Sequence, residues 1–218
     1  MVTSATRKTN RKRTISQIIF LLLFGVLVYF GRIQLWFGVF LLVGVFGSFI
    51  WGRVYCSSVC PMGTLMRVES WILHKIGLKR FFTPKWFTST VWNILFFVLF
   101  IGSMVITRKR GISFPILPAM LGLSLIVSLF FEEALWHRRI CPFGTILSVT
   151  SRMAHHGMRV EGEHCIGCGA CERICTMHCI ETSSIDDSKR IIIDHDCIGC
   201  RKCEEVCPTQ AISYNRTD

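Results

Sequence analysis

Two short stretches near the end of the chain decide its fold: CIGCGACERIC at Cys165–Cys175 and CIGCRKCEEVC at Cys197–Cys207. Each places three cysteines at intervals of three residues and a fourth cysteine four residues later. Three thiolates from one tight loop suit a cubane iron–sulfur cluster, whose fourth ligand then comes from elsewhere. Disulfides need no such repeat, and a zinc ribbon uses pairs of cysteines without the third. The spacing therefore predicts two [4Fe-4S] clusters.

The predicted ligands are shared crosswise between the two stretches, because in the two-cluster pattern the fourth cysteine of each run binds the cluster of the other run. Cluster one then takes Cys165, Cys168, Cys171 and Cys207, and cluster two takes Cys197, Cys200, Cys203 and Cys175. Thr176 follows Cys175 where the pattern has proline, and Cys179 stands where the second run has Ala211. We interpret Cys179 as a small packed side chain, although its position leaves open an exchange of ligand near cluster two.

With these residues, the segment 160–214 resembles a bacterial-type ferredoxin with two [4Fe-4S] clusters. The resemblance implies an α+β fold and one-electron transfer. A domain of this size has little core of its own, so we expect its folding to depend on its clusters. His178 and His195 lie near the cluster cysteines in sequence and are expected to tune the clusters. The remaining histidines outside the apolar segments are interpreted as surface residues: His74, His155, His156 and His164.

Composition indicates a membrane protein, since 51% of the 218 residues are hydrophobic and only 18% are charged. Residues 1–159 hold 19 Lys and Arg and 3 acids, whereas residues 160–218 hold 6 and 11. This asymmetry predicts two domains, a membrane domain at 1–159 and a ferredoxin-like domain at 160–218. The basic residues flank apolar runs and form no stripe with interleaved aromatics, so we expect no nucleic-acid partner.

The apolar segments predict four membrane-spanning helices. From Thr14 to Gly52 the only charged residue is Arg32, and one helix of that length would be about twice as long as the bilayer core is thick. The chain must therefore turn near Arg32. The expected helices are Ser16–Phe30, Leu35–Trp51, Phe87–Thr107 and Pro118–Trp136. The distribution of Lys and Arg places both termini in the cytoplasm, as in a multi-pass protein of the bacterial cytoplasmic membrane.

A second repeat lies in the membrane part, where Cys60-Pro61 recurs 81 residues later as Cys141-Pro142. Proline favours the first position of a helix, so each cysteine is expected at a helix N-terminus, which favours metal ligation. Aligning the copies places His137 where the first copy has Cys56, and imidazole is another metal ligand. One hypothesis is an additional metal centre formed by Cys56, Cys60, Cys141 and His137. The alternative is that these residues cap helices and bind no metal.

The whole layout resembles the NapH/MauN-type membrane ferredoxins: four spans, WGRVYCSSVCPMG at 51–63, WHRRICPFG at 136–144 and the terminal tandem ferredoxin. The resemblance implies membrane-bound electron transfer, commonly at a quinol dehydrogenase. His137 departs from the pattern, because the second copy lacks its first cysteine. The expected fold is thus an all-α four-helix membrane domain followed by a C-terminal α+β tandem [4Fe-4S] ferredoxin domain.

These features favour an electron-transfer subunit that moves electrons between its clusters, a membrane quinone and a redox partner protein. Glu132 and Glu133 are candidates for accepting quinol protons, but we interpret them as a solvated helix end paired with Arg138 or Arg139. No catalytic residue is assigned. Two other functions fit the same motifs: a maturation factor that reduces a metal or thiol on a client enzyme, and a redox sensor.

Overall fold

The computed structural model describes residues 4–78, 80–84, 87, 89–111, 116–183 and 186–216. The chain divides into two compact units, residues 1–60 together with 147–218, and residues 61–146. The first unit therefore contains both the first apolar hairpin and the cysteine-rich end of the chain. The predicted division into domains at residue 159 stays a prediction.

The first unit begins with a helical hairpin. Helix α1 (Ser4–Tyr29) is followed by α2 (Leu35–Val39) and α3 (Gly47–Trp51), which the π-helical segment Phe40–Phe46 joins into one apolar helix. The short helix α4 (Val54–Ser58) comes next. Helix α1 starts twelve residues before the predicted Ser16 because the polar run ahead of it is rich in Lys and Arg, which are good helix formers.

Side-chain contacts hold the hairpin and α4 together. The ring of Phe24 on α1 meets that of Trp36 on α2 edge to face at 5.2 Å. The buried Gln17 amide donates a hydrogen bond of 2.7 Å to the Ser57 carbonyl, which ties α1 to α4. Helix α4 is thereby fixed against the first helix at the end of the apolar hairpin.

The cysteine-rich end of the first unit is a small α+β fold. Strand β1 (His156–Val160) pairs antiparallel with β4 (Ile212–Arg216), and β2 (Ile180–Thr182) pairs antiparallel with β3 (Arg190–Ile192). Helices α10 (Ala170–Ile174) and α11 (Lys202–Val206) contact each other. Met158, Met177, Ala211 and Ile212 form its buried core.

The second unit is helical. Its elements are α5 (Pro61–Ile76), α6 (Thr90–Lys109), α7 (Ile116–Phe130), α8 (Glu133–Leu135), the π-helical turn Trp136–Ile140 and the start of α9 (Pro142–Thr150). Helix α5 packs along α7, where the Ser128 hydroxyl donates to the Glu69 carboxylate. The Asn93 amide of α6 donates 2.7 Å to the Arg138 carbonyl, which fixes the π-helical turn against α6.

Two helices in the described chain are long and apolar enough to cross a membrane, Asn10–Tyr29 and Val91–Lys109. The apolar helices Leu35–Trp51 and Ile116–Phe130 are shorter. The predicted fourth span, Pro118–Trp136, differs from the structure because its helix ends at Phe130 and the chain continues into α8 and a π-helical turn. The four predicted apolar segments are thus all helical, but two of the helices are of spanning length.

Candidate iron–sulfur site

The two cysteine runs adopt matching local structures. Each forms an open loop with its first two cysteines, followed by a five-residue helix that carries the third, α10 in one run and α11 in the other. The residue before each helix is left-handed, Gly169 at φ 68° and Arg201 at φ 59°. The fourth cysteine, Cys175 or Cys207, directly follows its helix in an extended conformation. The sequence repeat is therefore also a structural repeat.

The loop of the first run needs glycine at one position in particular. Gly167 has φ +67°, and a Cβ built there would lie 2.0 Å from the Ser188 carbonyl oxygen. Such a contact cannot be relieved by a flexible side chain, because the carbonyl belongs to the backbone. Gly167 therefore allows the loop of the first run to pass close to the segment before β3.

All four predicted ligands of cluster one line a single cavity. Cys165, Cys168 and Cys171 of the first run and Cys207 of the second line it together with apolar residues. The apolar part of the lining includes Val160, Ala211 and Ile212. A thiol-lined, mostly apolar cavity with one ligand drawn from the other run is the arrangement that the crosswise pattern requires.

The four predicted ligands of cluster two also converge. Burial raises the pKa of Cys203, and the neighbouring thiols of Cys197, Cys200 and Cys175 raise it further. These three neighbours and Cys203 are the set that the spacing predicts for cluster two, with Cys175 contributed by the first run. Burial likewise raises the pKa of Cys200, whereas hydrogen bonds with Cys179 lower the pKa of Cys175 and of Cys197. Bound iron would hold all four as thiolates. The residues present therefore fit the cluster.

Cys179 lies close to this second set. Its side chain is 2% exposed, and its sulfur lies 3.5 Å from that of Cys175. Hydrogen bonds with Cys175 and Cys197 raise its pKa, as does burial. The buried position agrees with a packed side chain, and the proximity to Cys175 and Cys197 keeps the exchange of ligand open.

Two arginines at the ends of the apolar hairpin hold the cluster-two loop. The Arg53 guanidinium is buried, donates 3.1 Å to the His195 carbonyl and lies 3.9 Å from the Asp196 carboxylate. Arg13 of α1 donates to the Cys200 carbonyl. A Cβ at Gly199 would lie 3.0 Å from the Val54 side chain, so α4 packs directly on the loop. No sequence signal separates Arg53 from the other basic residues beside apolar segments.

The residues of the hypothetical additional centre are divided between the two units. Cys56 and Cys60 lie in the first, and His137 and Cys141 lie in the second, and all four are buried. Burial raises the pKa of Cys56, although the nearby Arg53 opposes the effect. Among the described residues, no three or more His, Cys, Asp or Glu side chains form a group that could hold a single metal ion. The additional centre therefore stays a hypothesis.

The absence of a single-ion site among the described residues does not bear on the two proposed cubanes, because the four thiolates of a [4Fe-4S] cluster bind four different irons.

The expected helix N-termini are confirmed, since α5 begins at Pro61 directly after Cys60 and α9 begins at Pro142 directly after Cys141. The Gly144 amide donates 3.4 Å to the Cys141 sulfur. Cys141 thus acts as a helix cap in this structure.

The interpretations of Glu133 and His156 need correction, whereas the pairing of Glu132 stays a prediction. Glu133 is paired with Arg80 at 3.8 Å and accepts from Ser70, and neither interaction involves the neighbouring Arg138 or Arg139. The polypeptide between α5 and α6 brings Arg80 to it, which spacing along one helix could not indicate. His156 is half-buried in β1 and stacks on Tyr214, with ring centroids 6.5 Å apart, so it is not a freely exposed surface residue.

Comparison with known proteins agrees with this geometry. Residues 164–211 match a 4Fe-4S dicluster domain, and residues 33–79 and 113–160 each match a 4Fe-4S binding domain. The two segments that match the 4Fe-4S binding domain each contain one copy of the Cys-Pro repeat. The chain therefore carries ferredoxin-type 4Fe-4S domains and an internal repeat.

Several curated proteins are homologous to the chain. The methylamine utilization ferredoxin-type protein MauN of Paracoccus denitrificans is 29% identical over 62% of this chain and 52% of its own length. The putative electron transport protein YccM of Escherichia coli is 25% identical over 59% and 42%. An uncharacterized protein of Methanocaldococcus jannaschii is 28% identical over 69% and 62%. The chain thus spans less than two thirds of these relatives. No solved structure matches.

Proposed function

We propose that the chain is a membrane-anchored iron–sulfur protein that relays electrons between the quinone pool and a redox partner protein. The observation that carries the proposal is the crosswise convergence of two sets of four thiols, Cys165, Cys168, Cys171 and Cys207 in one and Cys197, Cys200, Cys203 and Cys175 in the other. These eight cysteines are the proposed ligands. When bound, two [4Fe-4S] clusters supply one-electron transfer.

Membrane anchoring is supported by the apolar surface of the helices. In the Val91–Lys109 helix none of the most apolar window is buried, and in Asn10–Tyr29 11% is buried. A soluble protein rarely exposes so large an apolar surface. The Leu35–Trp51 helix, at 17 residues, lies at the lower limit of a spanning length. We propose that residues 1–159 form the membrane part, with the ferredoxin part and both termini on the cytoplasmic side.

The first unit offers a route between bilayer and cluster. Helix α3 ends the apolar hairpin at Trp51, and α4 follows immediately and packs on the cluster-two loop through Val54 and Arg53. Cluster two would thus lie next to the end of a membrane helix. Arg53, Arg13 and the loop geometry hold the ligands of cluster two in place for exchange with a lipophilic carrier.

Relatives support the class of function. One is named as a putative electron transport protein and another as a ferredoxin-type protein of methylamine utilization. We extend the proposal to a redox partner protein and to a place in a quinol dehydrogenase complex.

The proposal is tested with the purified full chain in detergent or lipid discs. A membrane quinol is added anaerobically with an artificial electron acceptor, and quinol oxidation is followed. We expect oxidation by the wild-type protein and its loss in Cys203→Ala, with Ser124→Ala as a control at a buried residue outside every candidate ligand set. If a metal ion or a client disulfide reoxidises the reduced clusters and a quinone never does, the result would contradict the relay and support a maturation role.

A further inference from the structure

A second cavity lies within the first unit, beside the proposed cluster two. It opens to solvent and has a volume of about 210 Å³, which is room for a single aromatic ring. Trp51 and Arg53 line it from the end of the apolar hairpin, Tyr214 lines it from β4, and Cys197 and Asp194 line it from the cluster-two loop. The cavity therefore joins the end of a membrane helix to a proposed cluster ligand.

Two polar groups on the cavity wall have unused hydrogen-bonding capacity. Among the described residues, the buried Nδ1 of His156 and the buried Oδ1 of Asp194 have no hydrogen-bond partner. Asp194 uses its other oxygen to pair with Arg159 at 3.0 Å. Arg152 also lines the cavity and is exposed. Buried polar atoms of this kind are usually satisfied by a ligand or by water.

The donors and acceptors on the cavity wall determine which kind of ligand fits. Asp194 Oδ1 requires a donor, whereas Arg152 requires an acceptor and His156 serves as either. A phosphate group would satisfy Arg152 but would place a second anion against the Asp194 carboxylate. A hydroquinone headgroup carries two hydroxyl groups, each of which both donates and accepts, on a planar ring. The indole of Trp51 and the stacked rings of His156 and Tyr214 provide aromatic neighbours for such a ring.

We propose that this cavity binds the headgroup of a membrane hydroquinone, with a hydroxyl donating to Asp194 and the ring lying among His156, Arg152 and Trp51. The proposal rests on the proposed relay function and adds the site at which the carrier binds. The position fits the ligand, because Trp51 is the last residue of the apolar Leu35–Trp51 helix and is 54% exposed. A lipophilic tail can then remain in the bilayer while the headgroup reaches the wall that contains Cys197.

The test measures binding directly, so that it does not depend on turnover. The full chain with its clusters is titrated with 2-heptyl-4-hydroxyquinoline N-oxide, a redox-inert quinol analogue with one donor and one acceptor, and quenching of its fluorescence is followed. His156→Phe keeps a ring to stack on Tyr214 but removes both nitrogens, and Arg152→Gln removes the charge of an exposed side chain. His155→Phe, at an exposed neighbouring residue outside the cavity, is the matched control.

We expect roughly tenfold weaker binding in His156→Phe and in Arg152→Gln and unchanged binding in His155→Phe, since each cavity variant loses a hydrogen bond to a polar or charged group. Unchanged visible absorption of the clusters shows that the fold is retained. Equal affinity of all three variants for the analogue would refute binding in this cavity. If the variants still oxidise quinol, the relay proposal would stand. Competition by inorganic phosphate or by vesicles of anionic phospholipid would overturn binding of a hydroquinone in favour of an anion site. A wild type that neither binds the analogue nor oxidises quinol would refute both proposals.

Discussion

Arg53 is the residue whose replacement most directly tests how the cluster-two loop is held. Its side chain is fully buried, donates to the His195 carbonyl and pairs with Asp196, whose side chain is 14% exposed. Arg53→Met keeps an unbranched side chain of similar reach but removes every donor and the charge. The carbonyl and the carboxylate then each lose a buried partner.

The expected cost follows from that burial. Breaking a buried ion pair by removing one partner costs about 3–5 kcal/mol, and the 3.9 Å separation from Asp196 favours the lower end. A cost of about 3 kcal/mol makes local opening of the loop on the order of a hundredfold more populated. We therefore expect amide hydrogen exchange at residues 194–200 to accelerate by about that factor, measured by mass spectrometry on the full chain with its clusters bound.

Arg159→Met is the matched control, because Arg159 pairs with Asp194 of the same loop but its side chain is 41% exposed. An exposed pair contributes about 0.2–1 kcal/mol, so exchange should accelerate by no more than about fivefold. Equal acceleration in the two variants, or none in Arg53→Met, would show that burial of Arg53 does not stabilise the loop.

The remaining predictions concern the cluster ligands and their loops. Cys207→Ala should remove the electron paramagnetic resonance signal of cluster one and spare that of cluster two, and Cys175→Ala should do the reverse; losses confined to each run's own cluster would contradict crosswise ligation. In Cys175→Ala, partial retention of cluster two that a further Cys179→Ala abolishes would identify Cys179 as a replacement ligand, and no additional loss would assign it to packing. Gly167→Ala should lower the iron content of cluster one, because the added Cβ meets the Ser188 backbone, whereas Gly162→Ala, with contacts no closer than 3.6 Å, should leave the iron content unchanged.

The cysteine loops and the helix starts at Pro61 and Pro142 could be predicted from the sequence, because cysteine spacing and proline geometry act over a few residues. Contacts between distant residues left no such pattern. The pairing of β1 with β4 joins residues more than fifty positions apart, and a five-residue strand such as His156–Val160 gives little periodic signal. The sequence therefore indicated the cysteine loops better than the sheet beside them.

The apolar helices show the same limit. Hydropathy located all four apolar helices, but the π-helical turns at Phe40–Phe46 and Trp136–Ile140 have no signature in apolar content. Arg53 resembled a residue that flanks a membrane helix, and only the three-dimensional structure brings it to His195 and Asp196. Glu133 likewise pairs with Arg80 across a loop and not along its own helix.

Iron and acid-labile sulfide, counted per chain in anaerobically purified full-length protein, test the central claim most directly. Two [4Fe-4S] clusters held by the eight converging cysteines predict iron and sulfide in equal amounts, four of each per cluster, and loss of about half of both in Cys203→Ala. Colourless protein that contains zinc and no labile sulfide would contradict the account.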